Sequence, residues 1–235
     1  MKSKLDHEIN NNRFDDYYTV MSGVFGCQGM DYQKLEDSIF DYVSQNINDL
    51  KNQPILDIGI GDGASIKKFL EAGCEKVTGI DLNKTMLKTA KKKFGNRVRL
   101  IEANAVSMNM FRPDDFPVII SGACIHNIPR KERPAFWSEI VRLNPRLFVM
   151  IEKVMNHDEE TYQIKYESQI KAFDYVLREK GGREDLAQEW IEHLKSDEPE
   201  KIDMEEIKNN LLGKYEVEII FEMGVFKTVA CKKLS

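Results

Sequence analysis

The segment Asp57-Ile-Gly59-Ile-Gly61-Asp-Gly63 restricts the fold of this chain more than any other. It ends a short apolar run, Ile55-Leu56-Asp57-Ile58, and leads into a stretch with Ile66, Phe69 and Leu70 on one helical face. That order reads as strand, tight turn, helix. Glycines there let the backbone turn sharply and approach a ligand closely. The amides at the start of the following helix point into the same space. The order then recurs. Val77–Ile80 is strand-like, and Asn83 is placed to cap a helix running to about Phe94. Arg97–Ile101, Phe116–Ile120 and Leu147–Ile151 are further strand candidates, and Pro129 is placed to open a helix to about Leu143. Five strands alternating with helices predict an α/β fold around a parallel sheet with right-handed crossovers.

The ends of the chain follow other patterns. Leu35, Ile39, Val43 and Ile47 recur in steps of four, so an N-terminal helical segment occupies the latter part of residues 1–50. After Glu152 the alternation stops. Tyr166, Ile170, Phe173 and Leu177 form one helical stripe, Leu186, Trp190 and Leu194 a second, and Met204, Ile207 and Leu211 a third. Residues 156–212 are therefore expected to form a helical insert, a cap over the ligand site. Tyr215–Phe221 and Val225–Cys231 read as an antiparallel pair closing the sheet. Without internal repeats or a linker-like stretch, residues 1–235 read as a single domain.

Charge narrows the classes of partner. The net charge is −5, and from Asn156 to Leu212 there are 16 acidic residues against 8 basic ones, so the insert is an acidic surface. No basic stripe follows a phosphate backbone, and Lys91-Lys92-Lys93 reads as a solvated helix face, so DNA is not an expected partner. No apolar run approaches the roughly 20 residues that span a bilayer. Residues 1–8 turn polar where a signal peptide would turn apolar, which predicts a cytoplasmic protein without a membrane partner. Cys27, Cys74, Cys124 and Cys231 show no CxxC spacing, so neither a metal site nor a disulfide framework is expected.

Asp81 follows at the end of the second strand, where a carboxylate accepts two hydrogen bonds from a ribose diol. The pair of features predicts an adenosine-type cofactor at the carboxyl edge of the sheet. Gly59-x-Gly61-x-x-Ala64 also satisfies the dinucleotide pattern, which keeps an NAD-dependent oxidoreductase in view. Three features favour S-adenosylmethionine (SAM). Asp57 stands two positions before the first glycine, where a carboxylate suits the cationic amino-acid end of SAM and repels a pyrophosphate. About 50 residues precede the turn, and the last two strands form a hairpin rather than another βαβ unit.

These motifs resemble those of the class I SAM-dependent methyltransferases, over about residues 31–152 by motif and 215–233 by pattern. The resemblance implies a Rossmann-like, seven-stranded, mostly parallel sheet with an antiparallel last strand. It implies that Asp57, Gly59, Gly61 and Gly63 form the first motif, and that Asp81 holds the ribose with Leu82 beside the adenine. Asn104 and Ala105 fall in the third motif. That motif often carries an aspartate for the adenine amino group, a bond the Asn104 amide oxygen also accepts. Ser121 lies in the fourth motif, Phe116 to His126, at the mouth of the site. Tyr17 and Tyr18 belong to an aromatic cluster of the type that covers the SAM methyl group. The implied cofactor is SAM, with S-adenosylhomocysteine (SAH) as product, and the implied acceptor is a small molecule.

The C-terminal third is similar to small-molecule methyltransferases and to the carboxy-SAM synthase of tRNA wobble modification. The basic residue of that synthase aligns with Asn210 or Leu211, which favours plain SAM, with Lys208 and Lys214 as possible substitutes. Methyl transfer is an in-line displacement with a neutral thioether leaving group. It needs alignment and exclusion of water, and a base only where the acceptor must lose a proton. His126 is the candidate base, and Glu152, at the end of strand five, is a candidate to orient the acceptor. A non-catalytic SAM-binding partner protein is the remaining class, and a homodimer through the cap stays open.

Overall fold

The computed structural model describes residues 32–156, 158–180 and 184–234. Helix α1 (Tyr32–Asn46) precedes β1 (Ile55–Ile58), α2 (Lys67–Glu71), β2 (Val77–Asp81), α3 (Lys84–Phe94), β3 (Val98–Glu102), β4 (Val118–Gly122), α4 (Arg133–Leu143) and β5 (Leu147–Met155). Then come α5 (Glu159–Tyr175), α6 (Glu184–Asp197), the two-residue β6 (Ile202–Asp203), α7 (Met204–Leu211), β7 (Tyr215–Met223) and β8 (Phe226–Lys233). The sheet order is β3-β2-β1-β4-β5-β8-β7, with β6 against the end of β5. Strands β1 to β5 are parallel, and β8 runs antiparallel to both β5 and β7. This is the expected seven-stranded path, with β6 as a small addition.

Side chains alternate across β5 and build two cores. Leu147, Val149 and Ile151 face one side, with Leu35, Ile39 and Val43 of α1, Phe69 of α2 and Phe173 of α5. Phe148, Met150 and Val154 face the other, with Phe136, Trp137 and Ile140 of α4 and Ile207 and Leu211 of α7. The period of two in a strand buried on both faces explains why its sequence is a continuous apolar run. Local signals hold where chemistry demands them. The Asn83 side chain accepts from the amides of Thr85 and Met86 at the start of α3.

Two local readings shift. Helix α4 begins at Arg133, with Pro134 in its first turn, because the Pro129 carbonyl already closes a separate turn with the amide of Glu132. The third stripe of the insert, α7, lies beneath the sheet against α4 and β7. Asp203 caps α7 by accepting from the Glu205 amide at 2.8 Å. The long insert between sheet elements thus comprises α5 and α6. Gln169 of α5 accepts from the amide of Val225, so α5 stands beside the β7–β8 turn at the carboxyl end of β5.

Candidate active site

The strand order reverses between β1 and β4, and the crevice at such a reversal is where open α/β sheets bind ligands. The turn after β1 forms one wall. The amides of Gly59 and Ile60 both donate to the carbonyl of Ile80, at 2.9 and 3.0 Å, which folds the turn back over the end of β2. Gly59 has φ +71°, and a Cβ there would meet Cys124 Sγ at 2.3 Å. Gly63 has φ +85°, and a Cβ there would meet the Phe94 ring at 2.3 Å. Only glycine satisfies both the backbone angle and the close approach at these positions.

Asp57 is fully buried at the base of this wall. Its Oδ2 accepts from Ser65 Oγ at 2.5 Å, and its Oδ1 has no hydrogen-bond partner among the described residues. Burial pushes its carboxyl up to about 7, against the Ser65 bond, with Asp81 and Asp62 adding to the rise. Asp81 stands at the end of β2. Its Oδ1 accepts from the Asn83 amide at 2.7 Å and its Oδ2 from the Gly61 amide at 2.8 Å. Burial raises its pKa, and the amides of Asn83, Gly61 and Leu82 pull it back. Each carboxylate oxygen retains a second acceptor direction for a ribose hydroxyl.

The remaining cofactor-side residues take several roles. Leu82 is 37% exposed, an apolar surface beside Asp81. Asn104 is exposed and turns its Oδ1 to the Val106 amide at 3.1 Å, while Ala105 is buried. Ser121 is buried and donates to the Ile58 carbonyl at 3.0 Å, tying β4 to β1 rather than facing the crevice.

The opposite wall is the turn after β4. Glu152 is fully buried and points into that turn. Its Oε1 accepts from the amides of Cys124 and Ile125 at 2.8 and 2.5 Å, and its Oε2 lies 2.7 Å from Nδ1 of His126. Glu152 therefore holds the turn and the imidazole, in place of the acceptor contact expected for it. Burial pushes the Cys124 thiol well above its ordinary range, with Asp81, Glu152 and Asp57 adding to the rise. Tyr17, Tyr18 and Cys27 lie outside the described residues, as do His157 and the side chains of Trp190 and His193.

Two contributors escaped the sequence reading. Ser65 is signalled only by its place two residues beyond the last glycine. Glu36 on α1 lies within electrostatic reach of Asp57 and Asp62, which add to the rise that burial gives its carboxyl, and nothing in the sequence marks it apart from an ordinary helix-surface carboxylate.

Residues 55–144 match the family model described as a methyltransferase domain. Over 85 residues the chain is 32% identical to a "putative protein N5-glutamine methyltransferase" of Methanocaldococcus jannaschii, a match spanning 36% of this chain and 39% of the relative. The chain thus matches about two fifths of that relative's length. Among solved structures, magnesium protoporphyrin IX methyltransferase of Synechocystis PCC 6803 superposes with a TM-score of 0.61 at 14% identity, covering 97% of this chain and 100% of that one. The methyltransferase domain of bacterial CtHen1 gives 0.57 at 13% identity, covering 87% and 99%.

Proposed function

We propose that this chain is a class I SAM-dependent methyltransferase that binds SAM between the turns after β1 and β4 and methylates a small-molecule acceptor. The observation that carries the reading is the pair of carboxylates at the glycine turn. Asp57 offers a buried oxygen without a partner among the described residues, suited to a cationic group, and Asp81 offers two oxygens at the spacing of a diol. Exposed Leu82 suits the face of an adenine.

When bound, SAM supplies a methyl group on a sulfonium, activated for displacement by a nucleophile. The chain's own residues position it. Asp57 takes the amino-acid end, Asp81 the ribose, and the two turns hold the reacting groups in line. His126, fixed at Nδ1 by Glu152, is the proposed base for an acceptor that must lose a proton. Helices α5 and α6 wall the carboxyl edge beside β5, which suits a small acceptor.

The late positions of the carboxy-SAM reading gain no support. Asn210 donates to the Glu206 carbonyl on α7, beneath the sheet. Lys214 precedes β7, whose first residues pair near the amino end of β5. A protein acceptor is the second reading, favoured by the name of the archaeal relative. Native mass spectrometry followed by titration with SAM, SAH and NAD tests the assignment. Binding of SAM and SAH with NAD silent supports it. Binding of NAD alone replaces it with the oxidoreductase, and a co-purified ligand heavier than SAM by a carboxylate replaces it with the carboxy-SAM reading.

A further inference from the structure

Helix α1 runs antiparallel to the central strands, and its contacts with the hairpin fix its height. Ser38 Oγ meets Thr228 Oγ1 at 2.7 Å, and Thr228 lies opposite Ile151, at the carboxyl end of the sheet. About two turns later Asn46 accepts from Lys232, which lies opposite Leu147 at the amino end. Sideways, Asp37 pairs with Lys68 at 2.9 Å and Phe40 meets Phe69 edge-on, so α1 lies along α2. The first turns of α1 therefore stand beside the glycine turn that leads into α2.

Glu36 is in those turns. It is partly buried, and no hydrogen bond or ion pair among the described residues engages its carboxylate. The charged groups facing it are Asp57 from β1, Asp62 from the glycine turn, Asp37 from its own helix and Lys67 from the start of α2. Asp62 is already paired with Lys93 of α3. Burial first, and the three aspartates after it, push the Glu36 carboxyl up to about 8, opposed by Lys67. Asp57 Oδ1, on the strand that this end of α1 covers, is buried without a hydrogen-bond partner among the described residues.

Resting on the cofactor reading above, we propose that Glu36 is a further cofactor residue, which with Asp57 receives the α-ammonium group of SAM and makes the site selective for a ligand that brings a cation. A cation placed between two buried carboxylates relieves their mutual repulsion and favours their ionised forms. A pyrophosphate or an added carboxylate in the same place would face Glu36, Asp57 and Asp62 together. Binding of the cation therefore expels protons in the neutral range, and affinity rises with pH.

Calorimetric titration of the full chain and of Glu36→Gln tests this, with SAM, SAH and methylthioadenosine from pH 6 to 9 in two buffers of different ionisation enthalpy. SAM and SAH keep the amino-acid end, and methylthioadenosine lacks it. The expected result is proton release and rising affinity for SAM and SAH in the parent chain. Glu36→Gln should lose about 10-fold in affinity for both at pH 8.5, in the range of a charge-assisted hydrogen bond, and release fewer protons. Methylthioadenosine should bind both chains alike, and Glu36→Asp should restore part of the proton release. Equal SAM affinity in parent and variant across the range overturns the role of Glu36 while leaving the cofactor reading intact. An equal loss for methylthioadenosine also overturns it, since a distorted site moves all three ligands. A parent chain that binds none of the three overturns the cofactor reading, and the proposal with it.

Discussion

At the scale of the residue, the site is a set of carboxylates held in a form they resist. A free aspartate ionises near pH 3.9 and a free glutamate near about 4.3. Burial lifts Asp57 to about 7 and Glu36 to about 8 in the folded chain. A carboxyl whose folded pKa is raised stabilises the fold below its unfolded pKa, and that stability is lost as pH rises through the folded value. The carboxylates that pair with cations, such as Glu139 and Glu222, have lowered values and act only in the acid range. The ligand-free protein should therefore lose thermal stability between pH 5 and 8, by up to about 1.4 kcal/mol per pH unit for each group titrating. Asp57→Asn should flatten that slope, and a melting temperature that climbs through the window would contradict the account. Asp81 makes a separate prediction. Asp81→Ala should weaken SAM binding by about 1.5–3 kcal/mol, the range for hydrogen bonds to charged groups. It should also lower the melting temperature, because the Gly61 and Asn83 amides lose their acceptor. Unchanged affinity in a folded variant, read by calorimetry, would remove Asp81 from the site.

At the scale of the element, both walls of the crevice are turns held by carboxylates borne on other strands. Asp81 of β2 holds the turn after β1, and Glu152 of β5 holds the turn after β4. A turn at the end of a buried strand has amides without strand partners, and a carboxylate from the neighbouring strand satisfies them. Glu152→Ala leaves the Cys124 and Ile125 amides and His126 without their acceptor. It should destabilise the chain by about 3–5 kcal/mol, the cost of breaking a buried charged network. Glu152→Gln retains an acceptor oxygen and should lose clearly less. Urea unfolding of the two variants measures the difference, and equal losses would mean that the turn does not depend on the carboxylate. Elsewhere, Arg133 of α4 plays the comparable part for the end of the insert. It is buried, and it donates to the Ile128 carbonyl and to Glu200 and Glu206.

At the scale of the whole molecule, the sheet reversal between β1 and β4 opens the crevice, and helices on both faces leave the carboxyl edge for binding. A ligand that binds there only in the folded state raises stability by mass action. SAM at 100 times its Kd should add about 2.7 kcal/mol to the unfolding free energy, and NAD at the same concentration should add nothing. A urea midpoint unmoved by SAM, or moved by NAD, would contradict the proposed cofactor. Among the described residues no helix is long and apolar enough to cross a membrane.

The strands, the glycine turn and Asp81 were legible in the sequence because each rests on local chemistry. Apolar runs mark buried strands, and glycine is required where φ is positive and another side chain presses close, as Cys124 does on Gly59 and Phe94 on Gly63. The sense of the final hairpin was legible too, since the short turn after Met223, at Gly224 and Val225, leaves no room for a crossover. Other features depended on which elements meet. The stripe of Met204, Ile207 and Leu211 reads the same above or beneath the sheet, and the match to Trp137 and Phe136 sent it beneath. Glu152 reads as a strand-end carboxylate whether it faces a ligand or a neighbouring turn, and the turn after β4 brings three amides to it. Glu36 came within electrostatic reach of Asp57 and Asp62 when α1 docked along α2, an approach between residues more than 20 positions apart. Residue type and spacing set the elements and the cofactor motif. Tertiary packing decided which carboxylates share the site, because burial and charge act through space and not along the chain.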